Sequence, residues 1–320
     1  MLKLSVSLLL LALGGGSTAA VASLGGGMVG QPQVADGAFN VHVSRPAYVN
    51  QHPRVLFDEG HNNSDTSSGR YNPFVGLIRS DGYRLAPTTV RFSARSLYGC
   101  QVLVIVNPAG PTRTREAPAF TDAECDAVRD WVKAGGALLV IVDHAPFTSA
   151  VAGLLRRFEV DITKGHTFDT SHFNKDSDDQ TELVFTRAEG LIGEHPIARG
   201  RDESERIDQI ITFTGTSLKG PKGSVAILKL ADTAKDVLPP DRKPESPDAP
   251  PVDHKTVSAT GRAQGLALNF GKGRVVVLGE AAMLTAQVTP GGVRFGMSIS
   301  GIDNRQFALN IMHWLSGLLK

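Results

Sequence analysis

The chain has 320 residues, 41% hydrophobic and 20% charged, and its 33 basic and 32 acidic residues leave a formal charge of +1. With neither sign in excess there is no long-range field to gather nucleic acid or anionic lipid, and no basic stripe or stacking-aromatic motif is present. The length allows one large domain or two small ones.

The N-terminus reads as an export signal. Lys3 supplies the positive charge, Leu4 to Leu13 is an apolar run too short to span a bilayer, and Ala20-Val21-Ala22 is a small-residue cleavage site. An uncleaved anchor is the alternative. No Cys follows the run to carry a lipid, and no later stretch is apolar enough to cross a membrane. Residues 1–22 are therefore expected as a signal peptide, and the mature protein as a soluble periplasmic or secreted one. Residues 23–52, rich in Gly and without periodicity, read as linker and lead-in to a domain over 53–320.

Arg54 to Phe57 reads as a short strand running into Asp58. Pro73 to Asp81, with Phe74, Leu77 and Ile78 at helical spacing, predicts a helix stopped by Gly82, and Thr88 to Phe92 a second strand. Val102 to Val106 is a β-branched, fully buried strand. Thr121 and Glu124 then form a capping box for a helix with Val128, Trp131 and Val132 inward, closed by Gly135-Gly136. Leu138 to Val142 is the next buried strand, ending in Asp143-His144, and Ser149 to Phe158 a short helix.

The second half is less regular. Ile207 to Phe213, Val225 to Leu230 and Leu266 to Phe270 read as strands. Ala231 to Lys255, with Pro239, Pro240, Pro244, Pro247, Pro250 and Pro251, reads as a mobile surface insertion. Arg274 to Leu278 is the last buried strand, ending in Gly279-Glu280. A closing helix starts at Asp303 with Gln306 as capping-box partner, and buries Phe307, Ile311, Leu315 and Leu318. The strand–helix alternation predicts an α/β fold: an open, mainly parallel, doubly wound sheet with a mixed C-terminal extension.

Several chemistries are excluded by motif. There is no G-x-S-x-G elbow, no G-x-G-x-x-G and no H-E-x-x-H. Gly265 to Lys272 fails as a P-loop, because its glycines are one residue too far apart and Gly273 stands where a Ser or Thr would hold magnesium. No nucleotide or dinucleotide cofactor is expected. Cys100 before a strand and Cys125 in the following helix would lie on the order of 15–20 Å apart, so both are expected free and buried.

What remains is positional, since open α/β sheets bind ligands beyond the carboxyl ends of their strands. The first strand ends in Asp58-Glu59-Gly60-His61-Asn62-Asn63, the third in Asn107, the fourth in Asp143-His144 and the last in Glu280. In a 2-1-3-4 order the first and fourth tips are roughly 10 Å apart, a spacing that suits groups facing each other across a small ligand. A further cluster, His166, Asp169 and His172, follows on a loop that could reach the same edge. Asp58, His61 and His144, and more remotely His166, Asp169 and His172, are candidate ligands for a divalent zinc, manganese or iron ion. Asp143, His144 and Glu280 are candidate catalytic groups, and Glu59, Asn62 and Asn107 candidate ligand contacts. The competing possibility is that each tip only caps a turn or helix. His195, beside Pro196, reads as a turn residue, and His313 as structural or surface.

The runs RVLFDEGHNN, GRYNPFVGLIRSDGY, CQVLVIVNP, AFTDAECDAVRDWVKAGGALLVIVDHAPF, EHPIARG and GRVVVLGEAAMLTAQ resemble a group of exported bacterial proteins. These are similar to the class I glutamine-amidotransferase-like superfamily, near its ThuA-like and gliding-protein-associated branches. The resemblance, over roughly residues 50–320, implies a flavodoxin-like sheet. It also implies a nucleophilic Cys on a strand–turn–helix elbow, but Asp143-His144-Ala145 stands there instead, which contradicts thiolate-dependent glutamine hydrolysis. The ThuA-like branch suggests a carbohydrate ligand. Two functions are expected as rivals: a metal-assisted hydrolase of a small sugar-like or cell-envelope molecule, or a non-catalytic module binding a glycan or a protein.

Overall fold

A computed structural model describes residues 32–111, 117–240 and 254–320. The expected signal peptide and most of the Pro-rich insertion lie outside the described residues.

The elements that position the site run in chain order: β1 (Arg54–Asp58), α1 (Asn72–Ser80), β2 (Arg84–Thr88), β3 (Val102–Val106), α2 (Asp122–Lys133), β4 (Ala137–Ile141), α3 (Phe147–Arg156), β5 (His166–Asp169), β6 (Ala234–Val237), β7 (Ala263–Phe270), β8 (Gly273–Leu278) and α4 (Asn304–Leu315). Among the described residues the main sheet has nine strands and begins in the order β2-β1-β3-β4-β8-β7. All neighbours from β2 to β8 pair in parallel. The antiparallel β7 then starts a mixed extension that takes in Leu218–Lys219, Val225–Lys229 and Asp161–Ile162. This is the open, doubly wound, flavodoxin-like arrangement expected.

The central strands alternate between two cores. Val102, Val104, Leu139, Ile141, Val276 and Leu278 face α1 and α4, where they meet Phe74, Leu77, Ile78, Phe307 and Ile311. Leu103, Ile105, Leu138, Val140, Val275 and Val277 face α2 and α3, against Val128, Val132, Val151 and Leu155. Strands covered on both faces read as continuous apolar runs, which is why these were legible.

Four expectations are corrected. The second strand is Arg84–Thr88 rather than Thr88 to Phe92; it contains Pro87, which a sheet edge tolerates because one row of N–H groups there needs no partner. Residues 32–52 are stitched to the domain: Val34–Ala35 pairs with Ala286–Val288, and the Ala47 amide donates to Asp81. The Pro-rich stretch begins later than expected, since β6 pairs with both β5 and Thr256–Ser258. Gln209–Ile211 joins a separate small sheet with Asp179–Thr186.

The helix termini divide. The Thr121–Glu124 capping box forms. Asp303 makes no cap; its carboxylate accepts instead from the Asp208 and Gln209 amides, and Gln306 donates to Asn310. Leu318 lies beyond the end of α4 and is 38% exposed, contrary to its expected burial. Leu139→Ala should therefore cost about 2–5 kcal/mol in urea unfolding. Leu318→Ala should cost under about 0.5 kcal/mol; equal losses would contradict the packing described.

Candidate functional site at the carboxyl edge

The first strand tip folds back on itself. Asp58 ends β1 fully buried, and the His61 ring lies over it, with Nδ1 2.8 Å from Oδ1 and 3.0 Å from Oδ2. On the other side of the ring, Nε2 is 3.0 Å from Oε1 of Glu124 in the first turn of α2. Phe92 and Phe120 cover the imidazole with ring centroids 4.7 and 4.5 Å away. With a carboxylate at each nitrogen, both nitrogens carry protons and the ring is an imidazolium. Burial alone would pull the His61 pKa down, but the hydrogen bonds and charges of Asp58 and Glu124 outweigh it and hold the pKa above its ordinary value. Burial pushes Glu124 up, and its bonds from His61 and Thr121 reverse this, holding it at about 2.

Both nitrogens of His61, expected as a metal ligand with Asp58, are engaged by carboxylates in this arrangement, Nδ1 by Asp58 and Nε2 by Glu124. Glu124 was read only as a cap. It does cap, through Oε2 to the Thr121 amide and hydroxyl, while its other oxygen completes the His61 clamp. A helix first turn placed against a strand tip brings together residues 63 positions apart, and no local spacing announces that.

The second cluster is built on Asn107, at the tip of β3 in the left-handed region with φ 40°. Asn tolerates that backbone better than most residues. Its Nδ2 donates to Asp65 at 2.9 Å and to Asp143 at 3.0 Å, and its Oδ1 accepts from the Asp143 amide at 2.8 Å. The Ala281 amide donates to the other Asp143 oxygen at 3.2 Å. Arg70 pairs with Asp65 at 2.8 Å. Glu280 is fully buried and accepts from the Ala282 and Met283 amides. Burial, then the neighbouring Asp143 charge, pushes the Glu280 carboxyl well above the usual range. Burial also raises Asp143, against the opposing influence of His144 and Asn107. Asn63 links the two clusters, donating to Asp58 at 3.1 Å and to the Val106 carbonyl at 2.9 Å.

The tips of β1, β3, β4 and β8 thus meet in one hydrogen-bonded network. Asp65 was missed; it lies in the loop after β1 and is identified only by its contact with Asn107.

The other candidates separate. Glu59 braces its own loop by accepting from the Ser67 amide and hydroxyl. Asn62 is exposed and donates to the Gly110 carbonyl at 3.3 Å. His144 is half-buried, its Nδ1 3.0 Å from the Ala145 carbonyl, so Nδ1 donates. The His144 ring lies 6.4 Å from that of His166 at the start of β5. Burial, followed by the charge of His144, lowers the His166 pKa. Asp169 and His172 form a local turn, in which Asp169 accepts from the Ser171 and His172 amides and the Thr233 hydroxyl. The expected trio of His166, Asp169 and His172 is therefore split. Among the described residues no three His, Cys, Asp or Glu side chains are grouped to hold a metal ion.

Both cysteines are free and buried, and burial pushes each thiol up to about 11. Cys100 precedes β3 at the opposite edge, and Cys125, beside Glu124 in the first turn of α2, packs into the second core.

No family model matches the chain, and no curated protein matches it. Among solved structures, the mmIFT52 N-terminal domain superposes with a TM-score of 0.55 at 16% identity, over 82% of this chain and 97% of that one. A ThuA-like protein from Parabacteroides merdae gives 0.44 at 8% identity, over 84% and 91%. A GMP-synthase-type protein from Thermoplasma acidophilum gives 0.43 at 10%, over 84% and 97%. The first establishes a shared fold along most of both chains; the other two superpose too loosely to bear on function.

The clamp has a pH signature. The raised His61 pKa contributes stability that is complete below the ordinary value of 6.5 and lost as pH rises through the higher folded value. The depressed Glu124 pKa contributes stability present above 4.5 and lost as pH falls toward about 2. His61→Gln should therefore cost most, about 3–5 kcal/mol, between pH 4.5 and 6.5. Urea unfolding of both proteins across pH measures this; a loss that does not change with pH would rule out the charged clamp.

Proposed function

We propose that the protein is an exported binding module on an amidotransferase-like sheet, whose carboxyl edge holds a small polyhydroxyl ligand such as a sugar or glycan end. One observation carries this: the tip network satisfies its most reactive groups internally and leaves Asp143 and His144 half-buried toward solvent. Each Asp143 oxygen takes one internal hydrogen bond and retains a second acceptor site. Asn107 and the Ala281 amide fix that carboxylate in place, so a ligand would not have to order it. A preorganised carboxylate beside an imidazole suits adjacent hydroxyls, with His166 and Asn62 at the margin. The amidotransferase-like assignment is supported by the sequence runs, and the carbohydrate ligand by their ThuA-like character.

The binding reading is preferred to catalysis because no thiolate is available and His61 is sealed. The Asp143–Glu280 pair favours a second reading, an acid/base hydrolase of the same ligand, since a protonated Glu280 beside an ionised Asp143 has the asymmetry such a reaction needs.

Calorimetry with a panel of mono- and oligosaccharides tests the proposal. Asp143→Asn and His144→Ala should each weaken binding about tenfold, or roughly 1.4 kcal/mol. Absence of sugar binding, or equal binding by both variants, would refute it. Sugar hydrolysis abolished by Glu280→Gln would establish the second reading.

Export places the mature N-terminus at Ser23, after removal of residues 1–22. No helix among the described residues is long and apolar enough to cross a membrane. N-terminal sequencing of the protein recovered outside the cytoplasm should begin at Ser23; a chain retained with Met1 would contradict export by cleavage.

A further inference from the structure

The amino edge of the sheet, opposite the tips, carries a cavity of about 260 Å³ between the β7–β8 turn, the end of α4 and the His195-Pro196 corner. Its polar lining comprises His195, Asn269, Arg274 and Lys320, with Trp314 as its aromatic wall, and no Asp or Glu side chain lines it.

Two of these groups are set as donors by contacts behind the cavity. The Ile197 amide donates to Nδ1 of His195 at 3.2 Å. That bond fixes the tautomer, so in the neutral ring Nε2 carries the proton. Burial, then the nearby charges of Arg199 and Arg274, lowers the His195 pKa to about 4, and the ring is neutral at ordinary pH. Arg274 donates through Nη1 to the carbonyls of Trp314 and Leu319, and its guanidinium lies 5.0 Å from the Trp314 ring centroid. These bonds brace the end of α4 and use only Nη1. Among the described residues no Asp or Glu side chain pairs with the guanidinium, and burial lowers the Arg274 pKa. A partly buried guanidinium without an acidic side chain beside it, with N–H groups beyond the Nη1 that bonds the two carbonyls, has capacity for an anionic acceptor.

We propose that this cavity binds a small oxyanion, a phosphate or a carboxylate, on the free edge of Arg274 and the Nε2–H of His195, with Asn269 and Lys320 at the rim. A guanidinium presents paired N–H groups that match either anion. The volume admits such a group with little more attached.

The test is calorimetric titration of the full chain with inorganic phosphate and, separately, with acetate, at constant ionic strength set by chloride. Saturable binding of one anion per chain, with a Kd below about 1 mM, is expected. Tighter phosphate binding would assign a phosphoryl ligand, and tighter acetate binding a carboxylate. Arg274→Gln should weaken binding at least about tenfold, or roughly 1.4 kcal/mol. Because Arg274 also braces α4, Asn269→Asp serves as a second variant: the residue is exposed, the shape is kept, and the added negative charge should repel the anion to a similar degree. Absence of saturable binding of either anion up to about 10 mM, or binding unchanged in Asn269→Asp, would overturn the assignment.

Discussion

A strand covered on both faces has nowhere in its middle to put a charge. β3, β4 and β8 are lined on one side by α1 and α4 and on the other by α2 and α3, so an ionisable residue inside them would be desolvated at a penalty of several kcal/mol. The polar chemistry of this protein is therefore pushed to the two edges of the sheet. At the carboxyl edge the consequence is extreme, because the tips of four strands converge where loops fold over them. Asp58, Asp65, Asp143 and Glu280 crowd there, with Glu124 close by. Such a concentration of carboxyls is stable only if each is protonated, hydrogen-bonded or paired. All three solutions occur: Glu280 is raised and held by backbone amides, Asp143 is held by Asn107, and Asp58 and Glu124 share the His61 imidazolium.

That same constraint explains what could be read from the residues in order. The apolar runs Val102 to Val106, Leu138 to Val142 and Arg274 to Leu278 mark two-sided burial without help from context, and the abrupt polar residue after each marks the edge. The order of the first four strands follows from right-handed crossovers. Glu124 and Asp65 were not legible as site residues, because their roles depend on which helix turn or loop packs over which tip. Glu124 is instructive, since the capping box that identified it is real. One carboxylate serves the local motif with one oxygen and the long-range clamp with the other. Arg84–Thr88 was misplaced because Pro87 argues against a strand everywhere except at an edge. Asp303 failed as a cap because it was drawn to the Asp208 and Gln209 amides, distant in the chain.

The arrangement of hydrogen bonds also separates groups that sequence composition treats alike. His61, His144, His166 and His172 were all plausible donors to an ion. Structure divides them by what their nitrogens already do. His61 has a carboxylate at each nitrogen, His172 shares Asp169 with a turn, and His144 and His166 lie edge to face with ring centroids 6.4 Å apart. A histidine's usefulness to a ligand is set by the nitrogen left over once folding has used the other.

His195 extends this point to the opposite edge. There the ring accepts a helix-cap hydrogen bond at Nδ1, which dictates a proton at Nε2, whereas His144 donates at Nδ1. The two imidazoles thus use Nδ1 in opposite roles at opposite edges of one sheet. The surroundings match: His144 stands beside Asp143 and Glu280, and His195 beside Arg274 and Lys320. A formal charge of +1 does not report this separation, because it sums 33 basic and 32 acidic residues over the whole chain. A ligand senses only the nearest several ångströms of that distribution, since salt screens the remainder. The near-neutral total therefore argues against long-range attraction of polyanions while leaving each edge free to select a ligand by local charge and tautomer.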